Sequence, residues 1–342
     1  MTKRNLLICF DAFGTLFKPK RSVEEQYTLV AHKFGVGINP DGTNHFNSAD
    51  VRSSFRAAFK SSAKEYPNYG RAVGMGATAW WTKVITDTFT PLLPQSQQRT
   101  PLPAGLAPAL LHRFSSADGY QEPSPGLRTL FHRLRSISSD STKASPFDQV
   151  IVGAITNSDD RVPDILTSFG LRVSPLRFGT GSREAREDPR TADDIDFTCI
   201  SYDVGHEKPD TNIFEAAEGL AKGLTGLKKT ATMESSNWVK IHVGDEYKHD
   251  VEGALGAGWI PVWIPEMDDQ TGQGYKVPRP DSHYDVEGKD IDVVSLDASS
   301  IAGISLEDVL RDNSPSHDES KKLVIKCTSL EVLVDWLSER TK

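Results

Sequence analysis

Residues 6–10 read LLICF and stop abruptly at Asp11, with Gly14 and Thr15 following where a strand would have to turn. Five apolar residues in a row leave no polar face. A strand made from them is buried on both sides, as strands of parallel α/β sheets are and those of one-sided antiparallel sheets are not. In open α/β sheets ligands bind outside the carboxyl ends of the strands, which sets Asp11 at a site while Leu6, Leu7, Ile8 and Phe10 stay in the core. An Asp in this place can instead cap a turn or a helix start, and the run alone leaves both roles open.

The pattern then changes period. Val23, Tyr27, Val30, Ala31 and Phe34 recur at helical intervals until Gly35 and Gly37, and residues 51–64 and 77–89 repeat the spacing. No strand pattern appears before about residue 149, so a mostly helical module follows the first strand. The segment PNYG at 67–70 and the pair Trp80 and Trp81 lie within it, and large aromatics of this kind serve chiefly to pack helices. Residues 91–108 are rich in Pro and Gln and are expected to form a loop, with a short helix after it. A chain of 342 residues exceeds the usual single domain, which suits a core carrying a large insertion.

Beyond the module, residues 124–136 form a helix with Leu127, Leu130, Phe131 and Leu134 on one face, and 138–145 are a polar linker. Residues 150–156 are a buried strand ending in Thr156, Asn157 and Ser158; a charged excursion at 182–196 precedes another strand at 197–201. Lys208 stands in GHEKPD before an amphipathic helix containing Phe214, Ala217 and Leu220. The strand at 240–244 ends in GDEYKHD, placing Asp245 and Asp250 five residues apart. A fifth strand covers 260–264, a loop 267–282, an apolar run lies near Val293, and 305–322 is acidic and solvated. Thr328 and Glu331 have capping-box spacing for a last helix with Leu330, Leu333, Val334 and Leu337 on its apolar side. Taken singly, the Thr-Asn-Ser run is an ordinary turn, Lys208 a solvated cation and the acidic pair a solvated turn. Gathered near Asp11, two further carboxylates would repel one another unless a cation neutralised them, and hard oxygen ligands favour Mg²⁺.

In this order the motifs resemble the four motifs of the haloacid dehalogenase (HAD) superfamily: DAFGTL the first, Thr156 the second, Lys208 in KPD the third and GDEYKHD the fourth. The passage FRAAFKSSAKEYPNYG followed by WWTKVITDTF is similar to the subgroup containing HAD-like hydrolase domain-containing protein 3. The resemblance implies an α/β fold, with a Rossmann-like parallel-sheet core at 1–17 and 123–342 and an inserted helical cap domain of C1 type at 18–122. It implies that Asp11 is the nucleophile toward a phosphate ester, forming an aspartyl-phosphate that water hydrolyses. By the same resemblance Thr156 and Lys208 bind the phosphoryl oxygens, and Mg²⁺ is held by Asp11, Asp245, Asp250 and the backbone carbonyl of Phe13. The expected substrate is a small phosphorylated metabolite.

One residue departs from the family pattern. Most HAD phosphatases carry a second Asp two residues after the nucleophile as general acid and base, and this chain has Phe13 there. Loss of such help costs on the order of 10²- to 10⁴-fold in rate. Two alternatives therefore stand beside the phosphatase: a 2-haloacid dehalogenase, whose first motif also has an aromatic here and which needs no Mg²⁺, and a binding or regulatory protein of low turnover.

Composition narrows the remaining classes. A net charge of −8 and a pI near 5.6 argue against sequence-independent binding to nucleic acid or anionic lipid. Cys9, Cys199 and Cys327 are far apart with no CxxC, which suits core filling in a reducing compartment rather than a disulfide framework or zinc site. No apolar run approaches the roughly 20 residues that span a bilayer, and the expectation is a soluble cytoplasmic protein with the nucleus open to it. No GxGxxG follows the first strand, and no GxxxxGK[ST] or GxSxG occurs.

Overall fold

Strand β1 (Arg4–Phe10) is buried throughout its apolar run, with Leu6, Leu7, Ile8 and Cys9 wholly inaccessible. The structure, a computed structural model, describes residues 4–123, 126–139, 147–180, 193–225, 238–265, 290–297, 309 and 321–338. By contacts it divides into two compact units, one of Met1–Phe17, Glu122–Asn157 and Gly170–Lys342, the other of Lys18–Gln121 and Ser158–Phe169.

The first unit is built on a seven-stranded sheet. Besides β1 it contains β4 (Phe147–Thr156), β5 (Phe197–Ile200), β6 (Trp238–Gly244), β7 (Ile260–Trp263), β8 (Asp290–Leu296) and β9 (Lys321–Cys327). Their order is β5-β4-β1-β6-β7-β9-β8, and every pairing is parallel, giving the expected α/β, Rossmann-like core. Alternate residues of β1 serve opposite faces, as the pleat requires. Leu7 and Cys9 join a cluster with Ile213, Phe214 and Ala217 of the helix Thr211–Leu224, while the Phe10 ring meets Phe131 of the helix Leu127–Ser139 at 5.4 Å. Asp210 caps the first of these helices by accepting the Asn212 N–H at 3.0 Å.

The second unit is mainly helical, with α1 (Val23–Lys33), α2 (Ser48–Glu65), α3 (Ala77–Phe89), α4 (Leu106–Arg113) and a short helix Val162–Ser168. Asn47 and Asp50 form a capping box on α2, and Ser22 caps α1. Tyr27 of α1 anchors the interior against Phe55 at 5.2 Å and Phe114 at 5.5 Å. The two tryptophans divide their labour. Trp80 is buried and donates to the Tyr66 carbonyl at 3.0 Å, whereas Trp81 donates to the wholly buried Asp159 at 2.7 Å. Asp159 also receives three bonds from Arg161, one from its backbone N–H at 3.1 Å and two from its guanidinium at 2.8 and 2.7 Å, and that guanidinium lies 4.6 Å over the Trp81 ring. This web ties 158–169 to the helices although nearly eighty residues separate the partners. Trp81→Phe leaves Asp159 one donor short, and the expected loss is about 1–3 kcal/mol in urea unfolding.

Several sequence expectations need correction. Strand β4 begins at Phe147, before residue 149, and a two-residue antiparallel pair, β2 (Lys18–Pro19) with β3 (Tyr120–Gln121), has no alternating pattern to announce it. Strand β9 starts within the end of the stretch expected to be solvated, because LVIKC there is buried at Leu323, Val324, Ile325 and Cys327. The last helix (Leu330–Ser338) is capped by Ser329, which accepts the Val332 N–H at 3.2 Å, not by Thr328. The linker expected at 138–145 starts inside a helix that runs to Ser139, and the excursion expected to be exposed at 182–196 is buried at Asp193, Asp194 and Ile195. Residues 140–145, 182–192 and 267–282, and nearly all of 305–322, lie outside the described residues. No described helix is long and apolar enough to cross a membrane.

Candidate active site

Register brings the strand tips together. Strand β1 lies between β4 and β6, with Phe10 opposite Ala154 on one side and Val243 on the other. The residues just beyond, Asp11, Thr156 and Asp245, are therefore neighbours at the carboxyl edge. Asp11 continues the ladder through its own N–H, which donates to the Val243 carbonyl at 2.8 Å, so the carboxylate is held in line with β1 and does not cap a helix. Thr156, the buried last residue of the neighbouring strand β4, acts on the same carboxyl and lowers its pKa.

Lys208 reaches the same place from the loop between β5 and the helix Thr211–Leu224. Its Nζ is 2.9 Å from Asp11 Oδ1 and 2.6 Å from Asp250 Oδ1, with almost none of the residue exposed. A buried ammonium needs such partners, since an unpaired one would cost several kcal/mol. Asn157 clasps its backbone in both directions, accepting the Lys208 N–H at 2.7 Å and donating to the Lys208 carbonyl at 2.9 Å.

The two carboxylates of the fourth motif are fixed by different means. Asp245 accepts the Thr15 hydroxyl at 2.8 Å, and its carbonyl accepts Trp263 Nε1 at 2.9 Å. Asp250 lies in a π-helical turn, Tyr247–Glu252, a distortion common at functional sites. It accepts the Glu246 N–H at 2.9 Å on Oδ2, while His242 Nε2 lies 2.9 Å from Oδ1. Both carboxylates press on glycines. A Cβ on Gly14, whose φ is +86°, would fall 2.2 Å from Asp245 Oδ2, and one on Gly244 would fall 2.0 Å from Asp250 Cγ. Glycine is required at both positions by this close approach.

Asp11, Asp245 and Asp250 each offer an oxygen within 4.8 Å of the others. The electrostatics are those of a cluster short of positive charge. Burial raises the Asp11 pKa, Lys208 pulls it down and Asp250 pushes it up again, leaving it above the ordinary carboxylate range. Asp245 is pushed up to about 7, mainly by burial and then by the Asp11 charge. For Asp250 burial also opposes ionisation, but the Lys208 ammonium and the His242 contact outweigh it and hold the carboxyl well below its usual range. Burial lowers the Lys208 pKa, yet Asp11 and Asp250 more than reverse this and keep it charged. Three carboxylates against one cation, with oxygen-only donors, fit a hard divalent ion such as Mg²⁺. Phe13 is partly exposed, its ring edge-on to Phe17 at 4.8 Å.

The raised pKa of Asp245 has a measurable sign. Its folded value, about 7, exceeds the ordinary carboxylate value of 3.8, so the neutral acid is favoured by folding. That contribution is full below about pH 4 and is lost as pH rises through 7. Metal-free Asp245→Asn is therefore expected to match wild type in thermal melts near pH 4 and to exceed it above pH 7, by about 2–4 kcal/mol. Added Mg²⁺ should reverse that order, because the amide binds it poorly. Equal melting of the two proteins at pH 8 without metal would contradict this.

Asp11, Thr156, Lys208, Asp245 and Asp250 thus all belong to one cluster in the first unit. Sequence reading assigned no role to Thr15, Asn157 or His242. Thr15 and Asn157 were visible as hydroxyl and amide beside motif residues. His242 was visible as a polar residue one strand position from Val243 in an otherwise apolar tip.

A family model described as haloacid dehalogenase-like hydrolase matches residues 6–258, a span that contains the whole cluster. The chain is similar to haloacid dehalogenase-like hydrolase domain-containing protein 3 of Danio rerio, 30% identical over 244 residues covering 71% of this chain and 78% of the other. The Mus musculus protein of the same name is 28% identical over 254 residues, covering 74% and 78%. Among solved structures, a 2-haloacid dehalogenase from Pseudomonas syringae pv. Tomato DC3000 aligns at 17% identity over 82% of this chain and 91% of that one, with a TM-score of 0.40.

Proposed function

We propose that this chain, which belongs to the haloacid dehalogenase-like hydrolase family, is a Mg²⁺-dependent phosphatase acting on a small phosphorylated metabolite through an aspartyl-phosphate. The observation that carries the proposal is the buried Lys208 ammonium held between Asp11 and Asp250, at 2.9 and 2.6 Å, at the edge of the sheet. A carboxylate nucleophile facing a fixed cation is what a phosphoryl group needs on its way to the enzyme. In the same reading the helical unit is the cap domain.

An Asp11 oxygen attacks phosphorus, and the bond to the ester oxygen breaks with its electron pair going to the leaving group. Water then attacks the aspartyl-phosphate, releasing inorganic phosphate and restoring Asp11. Lys208 and the Thr156 hydroxyl bind the phosphoryl oxygens, positioning the group and stabilising its charge without reorganisation. Bound Mg²⁺, held by Asp11, Asp245, Asp250 and the Phe13 carbonyl, would add charge neutralisation at the phosphoryl oxygens.

Phe13 favours a second reading, hydrolysis of a 2-haloacid, because halide departs without a proton. The carboxylate cluster speaks for the phosphatase, since a dehalogenase has no use for three acids around one lysine. A panel of phosphate esters and 2-haloacids, assayed with Mg²⁺ and with a chelator, separates them. Chelator-sensitive release of phosphate is the expected result; chelator-insensitive release of halide would replace the first reading with the second.

A further inference from the structure

We infer that His242 is a positioning residue that acts through Asp250 to hold the Lys208 ammonium at Asp11. Its consequence for turnover rests on the phosphatase reading, whereas its structural basis does not. His242 lies in the interior of the sheet, opposite Cys9 of β1 and Pro261 of β7, and is wholly inaccessible. Its ring packs edge-on to Phe214 at 5.2 Å, a contact that an apolar ring would make equally well. Packing alone therefore does not account for an imidazole. Nδ1 has no hydrogen-bond partner among the described residues, and Nε2 lies 2.9 Å from Asp250 Oδ1. The neutral tautomer with its proton on Nε2 satisfies this arrangement, donating to the carboxylate.

Asp250 Oδ1 is shared between that donor and Lys208 Nζ, and Oδ2 is taken by the Glu246 N–H. Three donors occupy three of about four lone-pair positions on a carboxylate, which fixes its plane. Lys208 needs such a fixed acceptor, because an ammonium on a four-carbon stem is a mobile point charge. Without His242 the carboxylate can turn toward Lys208 and draw Nζ from the position 2.9 Å from Asp11 Oδ1. Displacement of about 1 Å near reacting atoms can cost roughly 10²-fold in rate.

The test compares His242→Phe, which keeps a ring but no donor, with His242→Gln, whose amide nitrogen can reach the same place. In ¹⁵N-lysine-labelled protein the buried Lys208 ammonium should give a slowly exchanging signal, identified by its loss in Lys208→Met. Folded His242→Phe should lose or broaden this signal and show kcat reduced about 10- to 100-fold with a smaller change in KM. His242→Gln should retain the signal and stay within a few-fold of wild type in kcat. Should the Phe variant not fold, His242→Leu takes its place at reduced temperature. An unchanged Lys208 signal in a folded donorless variant overturns the inference, and so does a Gln variant as impaired as the Phe variant. If the signal follows the donor at 242 while wild type hydrolyses no phosphate ester, the phosphatase reading falls and the positioning role stands.

Discussion

Asp11→Asn is expected to lower hydrolysis on the order of 10⁴-fold or more, as loss of a covalent nucleophile does elsewhere, while the protein stays folded. The amide matches the carboxylate in shape but cannot form the aspartyl-phosphate. Its backbone bond to Val243 is independent of the side chain, so β1 keeps its place. Lys208 loses one anionic partner but retains Asp250 at 2.6 Å, so no buried ammonium is left without a counter-charge. Turnover and near-ultraviolet circular dichroism of the same preparation check both halves. A folded Asn variant with wild-type turnover would mean that another group attacks the substrate. Acid-quenched wild type should also carry one phosphoryl group, which the variant lacks.

The parts of this site that were legible in the sequence are those whose signal is local. A strand buried on both faces is mostly apolar, so the polar residue at or just past its end, whether Asp11, Thr156 or Asp245, marks the tip. Lys208 was legible from its KPD context. Its supports were not. Asn157 grips it across 51 residues of sequence and Asp250 across 42, and nothing in a one-dimensional pattern says which strands become neighbours. The same holds for the sheet, where β9 inserts between β7 and β8 against chain order. It holds also for Trp81, which read as a packing aromatic and turns out to hold a buried carboxylate supplied 78 residues later. Periodicity specifies which face of an element is buried; it does not name the residue that the face meets.

Phe13→Asp bears on the departure from the family pattern. With Phe13 the wild type has no carboxyl two residues after Asp11, the proposed nucleophile, so a phosphatase of this design should depend on the quality of the leaving group. Aryl and acyl phosphates, whose leaving groups need little protonation, should turn over, and simple sugar phosphates should react poorly. The substitution restores a proton donor at that place, and its effect is expected to be unequal: a rise of up to about 10²- to 10⁴-fold for alkyl esters, and much less for aryl ones. Two opposing terms bound the gain. The Phe13 ring packs edge-on to Phe17, and losing that contact removes about 0.5–1.5 kcal/mol. A further carboxylate beside Asp11 also adds repulsion to a cluster where Asp245 already sits near pKa 7, so the assay must contain Mg²⁺. Melting temperature followed with and without the metal separates a destabilised variant from an inactive one. If wild type hydrolyses alkyl and aryl phosphates at equal rates, and a folded Asp variant gains nothing on either, the leaving group receives its proton from another residue.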